Sequence, residues 1–137
     1  MANKILLEVV TPDKLLLSKE VEVVVATSID GEFAVLYGHV PFLASLAVGE
    51  MRFKDGGNTE YAAIAGGFAE VTGTKVTVLA EAAELAREID VNRAERAAER
   101  ARERIEKAKT EGRDYVKAQA ALHRAMLRIR MADKAKL

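Results

Sequence analysis

Cysteine is absent, which removes disulfides, thiolate metal sites and cysteine nucleophiles together and fits a reducing compartment. Histidine is nearly so: His39 and His123 leave little for metal chemistry, and each taken singly reads as a structural or surface residue. No uncharged run reaches the ~18 or more apolar residues of a spanning helix, and Glu8 breaks the apolar start Ile5-Leu6-Leu7. Neither a signal peptide nor an anchor is therefore expected. A phosphate loop ending in Gly-Lys-Ser/Thr, a Gly-x-Ser-x-Gly elbow and a His-Glu-x-x-His zinc motif are all missing. These gaps argue against an enzyme acting alone, and neither catalytic nor metal-ligating residues are assigned.

What is present is 137 residues, 50% hydrophobic and 31% charged, enough for one small domain with an appendage. The net charge of zero conceals two opposed halves. Residues 1–87 carry 7 Lys+Arg against 12 Asp+Glu, a net of −5, whereas residues 88–137 carry 14 against 9, a net of +5. Eight of the nine glycines and both prolines also fall in the first part. The two parts obey different structural rules.

The first 80 residues read as short β segments separated by turn residues, the spacing of an all-β sandwich or barrel. Nine segments are expected: 5–10, 15–20, 21–27, 32–36, 42–46, 50–53, 59–65, 68–72 and 75–80. Asp30-Gly31, Asp55-Gly56-Gly57 and Gly73-Thr74 supply turns. From Val91 the period changes. Val91, Ala94, Ala98, Ala101, Ile105 and Ala108 mark one helix face, and Thr110-Glu111-Gly112-Arg113 interrupts it. Tyr115, Ala118, Leu122, Ala125 or Met126, and Ile129 mark a second helix, antiparallel to the first because the connection is short. The seam is mostly alanine. A buried leucine contributes roughly 1.5–3 kcal/mol but an alanine methyl only ~0.8 kcal/mol, so closure of the hairpin should be marginal.

Residues 115–132 contain Lys117, Arg124, Arg128 and Arg130 and no acid. One reading is a basic bias that complements the helix dipole. The other is an anion site: Arg124 and Arg128 share a face, as do Arg93 and Arg100, and folding the hairpin could bring the pairs together around a polyphosphate. Against this, the rows Arg96/Arg100/Arg104 and Glu95/Glu99/Glu103 also suit a solvated, self-paired surface. Asp90, after the apolar Ile89, suits an N-cap that needs no ligand. Spacing alone leaves these alternatives open.

Val10-Thr11-Pro12, Gly38-His39-Val40-Pro41, Ala65-Gly66-Gly67-Phe68-Ala69-Glu70-Val71 and Val78-Leu79-Ala80-Glu81 together resemble the epsilon subunit of bacterial F-type ATP synthase, in order and across nearly the whole chain. The resemblance implies an α+β protein: a ten-stranded β-sandwich over residues 1–87, then an antiparallel two-helix hairpin over 88–137. It implies a non-catalytic regulatory and rotor subunit on the cytoplasmic face of the bacterial cell membrane, peripheral to it. The sandwich would bind the gamma subunit and the c-ring of the membrane sector, with Glu32 and His39 at the contacting end. The hairpin, when extended, would meet the catalytic alpha/beta head and inhibit ATP hydrolysis. Ile89-Asp90-Val91-Asn92-Arg93-Ala94 resembles the motif of family members whose compact hairpin binds ATP. By that likeness Glu84, Asp90 and Ala94 would lie on the adenosine side and Arg93, Arg100, Arg124 and Arg128 around the phosphates, with Ile89 also among the ATP-binding residues. No resident cofactor is implied, ATP being a regulatory ligand. The alternatives are the same subunit without useful ATP affinity, or an RNA-binding module using the basic second helix. The latter is disfavoured by 5% aromatic content, with Tyr115 alone in the hairpin, so no nucleic-acid partner is expected.

Overall fold

The computed structural model describes residues 3–112 and 114–136; Arg113, part of the expected interruption between the helices, lies outside the described residues. The chain divides into two compact units, Met1–Leu85 and Ala86–Leu137.

The first unit is the β-sandwich. Its strands are β1 (Ile5–Val10), β2 (Leu15–Val21), β3 (Val23–Ser28), β4 (Gly31–Leu36), β5 (Phe42–Asp55), β6 (Asn58–Val71), β7 (Lys75–Ala80) and β8 (Ala83–Leu85). Neighbours run β2-β1-β7-β6-β5-β3-β4, with β8 against β6; β1 and β7 are parallel and the other pairs antiparallel. Among the described residues this gives eight strands rather than the expected ten. The expected segments 42–46 and 50–53 are one strand, as are 59–65 and 68–72, because the glycines between them bend the chain without ending its pairing. At Gly49 a Cβ would stand 2.8 Å from the Thr27 side chain, so glycine is there for the close approach of β3 and not for a turn. Gly66 and Gly67 have φ of 81° and 115°, backbone that glycine alone adopts easily. There β6 leaves its pairing with β8 (Ala62–Ile64) and takes up β7 (Gly67–Val71), which lets one strand pair with both.

Alternation sets the core. Ile5, Leu7 and Val9 of β1, Val24 and Ala26 of β3, Met51 and Phe53 of β5, and Val76 and Val78 of β7 are buried, every second residue turned inward. The whole cluster lies between Ile5 and Leu85. Deleting residues 88–137 is therefore expected to leave a sandwich with a cooperative thermal transition and an unchanged β-type circular dichroism spectrum. A truncated chain without such a transition would show that the helices complete its core.

The second unit is α1 (Val91–Glu111) and α2 (Tyr115–Ala135), preceded by a single 3-10 turn over Ala86–Glu88. Gly112, in the left-handed region, closes α1 by donating its N–H to the Ala108 carbonyl at 2.7 Å. Asp114 precedes α2 with φ of 63°, a conformation aspartate tolerates better than most residues. Both helices have 21 residues, so residue 91 stands level with 135 and 111 with 115. On those levels Ala94 would face Ala132, Ala101 would face Ala125 and Ala108 would face Ala118. All six are buried. With only methyls between them, the helix axes can approach toward the short end of the ~8–10 Å range.

Candidate functional site

The residues of the first turn of α1 already have structural work. Asp90 is the N-cap, its Oδ1 accepting the Arg93 N–H at 3.0 Å. Ile89 and Ala94, both buried, occupy the flanking positions that staple the entry of a helix, and Ala94 also belongs to the seam. Arg93 is exposed and has no such structural duty.

Levels and helical angles place the remaining cations. Arg100 stands level with residue 126, Arg124 with 102 and Arg128 with 98, so these three lie within about one turn, or ~6 Å of hairpin length. Arg93 is seven residues, about 10 Å, nearer the root of α1. At about 100° per residue, with Ala101 and Ala125 taken as facing each other, ideal helical spacing would set all four on one flank. The opposite flank is marked by Arg102 and Met126, whose guanidinium N–H and sulfur meet at 3.5 Å. Glu95, Glu99, Glu103 and Glu106 point outward or toward that second flank, where Arg102 pairs with Glu99 at 3.5 Å and Lys109 with Glu106 at 3.3 Å. By the same spacing Arg96, Arg104, Lys107 and Lys117 would join the first flank, with the acidic Glu111 near its tip. On that spacing one side of the hairpin would carry the Arg102–Glu99 and Lys109–Glu106 ion pairs and the other would be largely cationic. Among the described residues Arg93, Arg100 and Arg124 make no side-chain hydrogen bond or ion pair, whereas Arg128 is half-buried and engaged within the protein. Glu84 is a residue of the other unit, half-buried on β8 opposite Ala63.

Glu32 lies on β4, an edge strand of the sandwich. Its Oε1 and Oε2 each accept a 3.0 Å hydrogen bond from Arg52 of β5, and Arg52 Nη1 also donates to Glu50 at 2.7 Å. These bonds, to Glu32 first and then Glu50, hold Arg52 even more firmly protonated than usual. His39 is half-buried in the β4–β5 connection. Its Nδ1 lies 2.8 Å from the Val40 carbonyl, which can only accept, so the ring carries its proton on Nδ1. The ring leans on Phe42 at 5.1 Å, and Phe42 meets Phe33 edge-on at 5.3 Å. Gly38 N–H to Gly73 carbonyl, 2.7 Å, ties this connection to the β6–β7 turn.

Two features went unread in the sequence. Leu15, Val10, Leu79 and Phe68 are paired neighbours across β2, β1, β7 and β6, and Leu15, Leu79 and Phe68 are each about half exposed. Large apolar side chains aligned on an outer face mark an interaction surface. The signal was available, since Leu79 alternates with buried Val78 and Ala80 and must face outward. Arg52 was also passed over, because nothing in a sequence pairs it with a glutamate twenty residues earlier.

What the described residues of both units offer is surface, and the protein class is that of a docking subunit of a larger assembly. The model of the ATP synthase Delta/Epsilon chain beta-sandwich domain matches residues 4–86, and that of the long alpha-helix domain of the same family matches residues 87–133. The chain belongs to this ATP synthase delta/epsilon family, as an epsilon-type, non-catalytic subunit. It is 49% identical to the ATP synthase epsilon chain of Nitratidesulfovibrio vulgaris (strain DP4), over 98% of this chain and 100% of that one. To the epsilon chain of Syntrophobacter fumaroxidans it is 52% identical, over 98% and 99%. A chain in the cryo-EM structure of Euglena gracilis mitochondrial ATP synthase, OSCP/F1/c-ring in rotational state 1, superposes with a TM-score of 0.75 at 26% identity, covering 100% of this chain and 84% of that chain.

Proposed function

We propose that this subunit couples the gamma shaft to the c-ring through its sandwich and senses ATP through its hairpin, on the cytoplasmic face of the bacterial membrane. The presence of a c-ring in the structure that holds the Euglena relative supports the first half. The apolar row Leu15–Val10–Leu79–Phe68 suits the shaft, and Glu32 and His39 suit the ring. No helix among the described residues is long and apolar enough to cross a membrane, which fits attachment through partners.

What supports ATP sensing is the charge pattern of the hairpin, whose helical spacing sets Arg93, Arg100, Arg124 and Arg128 on one flank while Arg102–Glu99 and Lys109–Glu106 pair on the other. Mutual repulsion along the cationic flank is relieved by an anion, and a triphosphate presents several charge-assisted acceptors within the ~6 Å that separates the levels of Arg100, Arg124 and Arg128. Closing the hairpin around ATP would add to the weak alanine seam: at 100 times its dissociation constant a ligand contributes about 2.7 kcal/mol. When the hairpin extends, the same cations would be released to meet carboxylates of the alpha/beta head, and ATP hydrolysis would be inhibited. ATP then acts as a regulatory ligand.

Arg93→Ala and Arg128→Ala are each expected to weaken ATP binding roughly tenfold in calorimetric titration of the isolated chain, the loss of one charge-assisted bond of about 1.5–3 kcal/mol. The sandwich melt should not change. Identical titration curves for both variants and the parent would remove ATP from this flank. They would favour the alternative in which the subunit has no useful ATP affinity and Ile89, Asp90 and Ala94 serve the helix start alone.

A further inference from the structure

Glu32 stands on an edge strand with half of its side chain in solvent. A glutamate so placed ordinarily samples many rotamers, and ordering it on binding costs up to ~1.5–2 kcal/mol. Here it is not left to do so. Arg52 reaches over the intervening strand β3, where Val25 is paired both with Arg52 and with Ala34 of β4, and forks onto both carboxylate oxygens of Glu32. Nη1, one of the two fork nitrogens, also donates to Glu50, whose carboxylate is mostly covered. Glu50 is fixed in turn at its backbone, where the Thr27 hydroxyl donates to its carbonyl at 2.9 Å. Two carboxylates thus share one guanidinium near the edge of the sandwich, with Glu32 the more exposed of the two.

We infer that Arg52 is a positioning residue: it fixes the Glu32 carboxylate in the orientation in which Glu32 docks a cationic group of the membrane ring. This rests on the reading of Glu32 as a ring contact. Pre-ordering spares the partner the rotamer cost and sets the direction from which a cation can approach. Only an arginine does this, because lysine presents a single point of charge and cannot fork across a carboxylate.

The test is a double-mutant cycle, read as the affinity of the full chain for membrane-bound ATP synthase from which this subunit has been stripped. Arg52→Met and Glu32→Gln are each expected to weaken rebinding about tenfold, with the double variant little worse than either. Arg52→Lys should recover only part of the loss, and thermal melts of all variants establish that the sandwich is intact. Loss with Glu32→Gln but none with Arg52→Met overturns this inference while leaving the Glu32 contact standing. Equal, additive losses in the double variant overturn it as well, since Arg52 would then act apart from Glu32. No loss with Glu32→Gln removes the contact itself and the inference with it.

Discussion

Gly67→Ala is expected to cost the sandwich about 3–5 kcal/mol, from a forbidden backbone conformation and a steric clash that add. At φ of 115° an alanine is strained whatever the space around it, and here there is none. Its Cβ would lie 2.1 Å from the Leu79 carbonyl oxygen and 2.9 Å from the Ala80 Cα. Both are backbone atoms of β7, held by the Gly67–Ala80 pairing, and neither can swing aside as a side chain could. The melting temperature should fall by about 15 °C or more, given ~4–8 °C per kcal/mol for a unit of this size. Gly57→Ala is the control. Gly57 also has positive φ, 87°, but nothing lies within 4 Å of the added carbon, so a loss nearer 1 kcal/mol is expected. If both variants melt within a few degrees of the parent, the change of β6 from pairing with β8 to pairing with β7 does not depend on glycine as argued.

The second large effect is expected at the hairpin seam. Ala101 and Ala125 are both almost fully buried, at matching levels of the two helices by their equal lengths. Ala101→Phe would force the axes apart or the ring out of a rotamer well, at about 3 kcal/mol against a closure already marginal. Because ATP is proposed to bind the closed hairpin, affinity should fall by roughly 100-fold, the equivalent of that energy. Limited proteolysis between residues 105 and 120 should quicken in parallel. Ala120→Phe, on an exposed position of α2, should leave both unchanged. An undiminished ATP affinity in Ala101→Phe would mean that closure and binding are not linked.

Alternation made most of the sandwich legible, because Ile5, Leu7 and Val9 or Val76 and Val78 announce a half-buried strand without any help from distant residues. It failed where distance along the chain mattered. Gly49 and Gly66-Gly67 look like turns in isolation, and only the approach of Thr27 to one and of Leu79 to the other shows why the strands run on. β8 has three residues and exists solely as a partner of Ala62–Ile64, so no local pattern marks it. On α2 the seam residues Ala118 and Ala125 were readable from their spacing, but the burial of Leu127 and Met131 off that seam was not. The candidate ATP residues were legible as a pattern but not as a choice between roles. Asp90 caps α1 and Ile89 and Ala94 are buried beside it, whereas it is helical spacing alone that sets Arg93, Arg100, Arg124 and Arg128 on one flank. The clamp of Arg52 on Glu32 needed three strands in register before it could be seen.

The central claim is that the closed hairpin binds ATP and that only the opened one inhibits. The chain has no cysteine of its own, so Ala101→Cys with Ala125→Cys, at one level of the seam, gives a single disulfide that locks the hairpin shut. The measurement is the rate of ATP hydrolysis by the assembled enzyme at low ATP, with the lock formed and then reduced. The locked enzyme is predicted to hydrolyse ATP faster than the reduced one, with the difference closing as ATP rises. A locked enzyme no faster than the reduced one would contradict the account, because the hairpin would then not be the inhibitor.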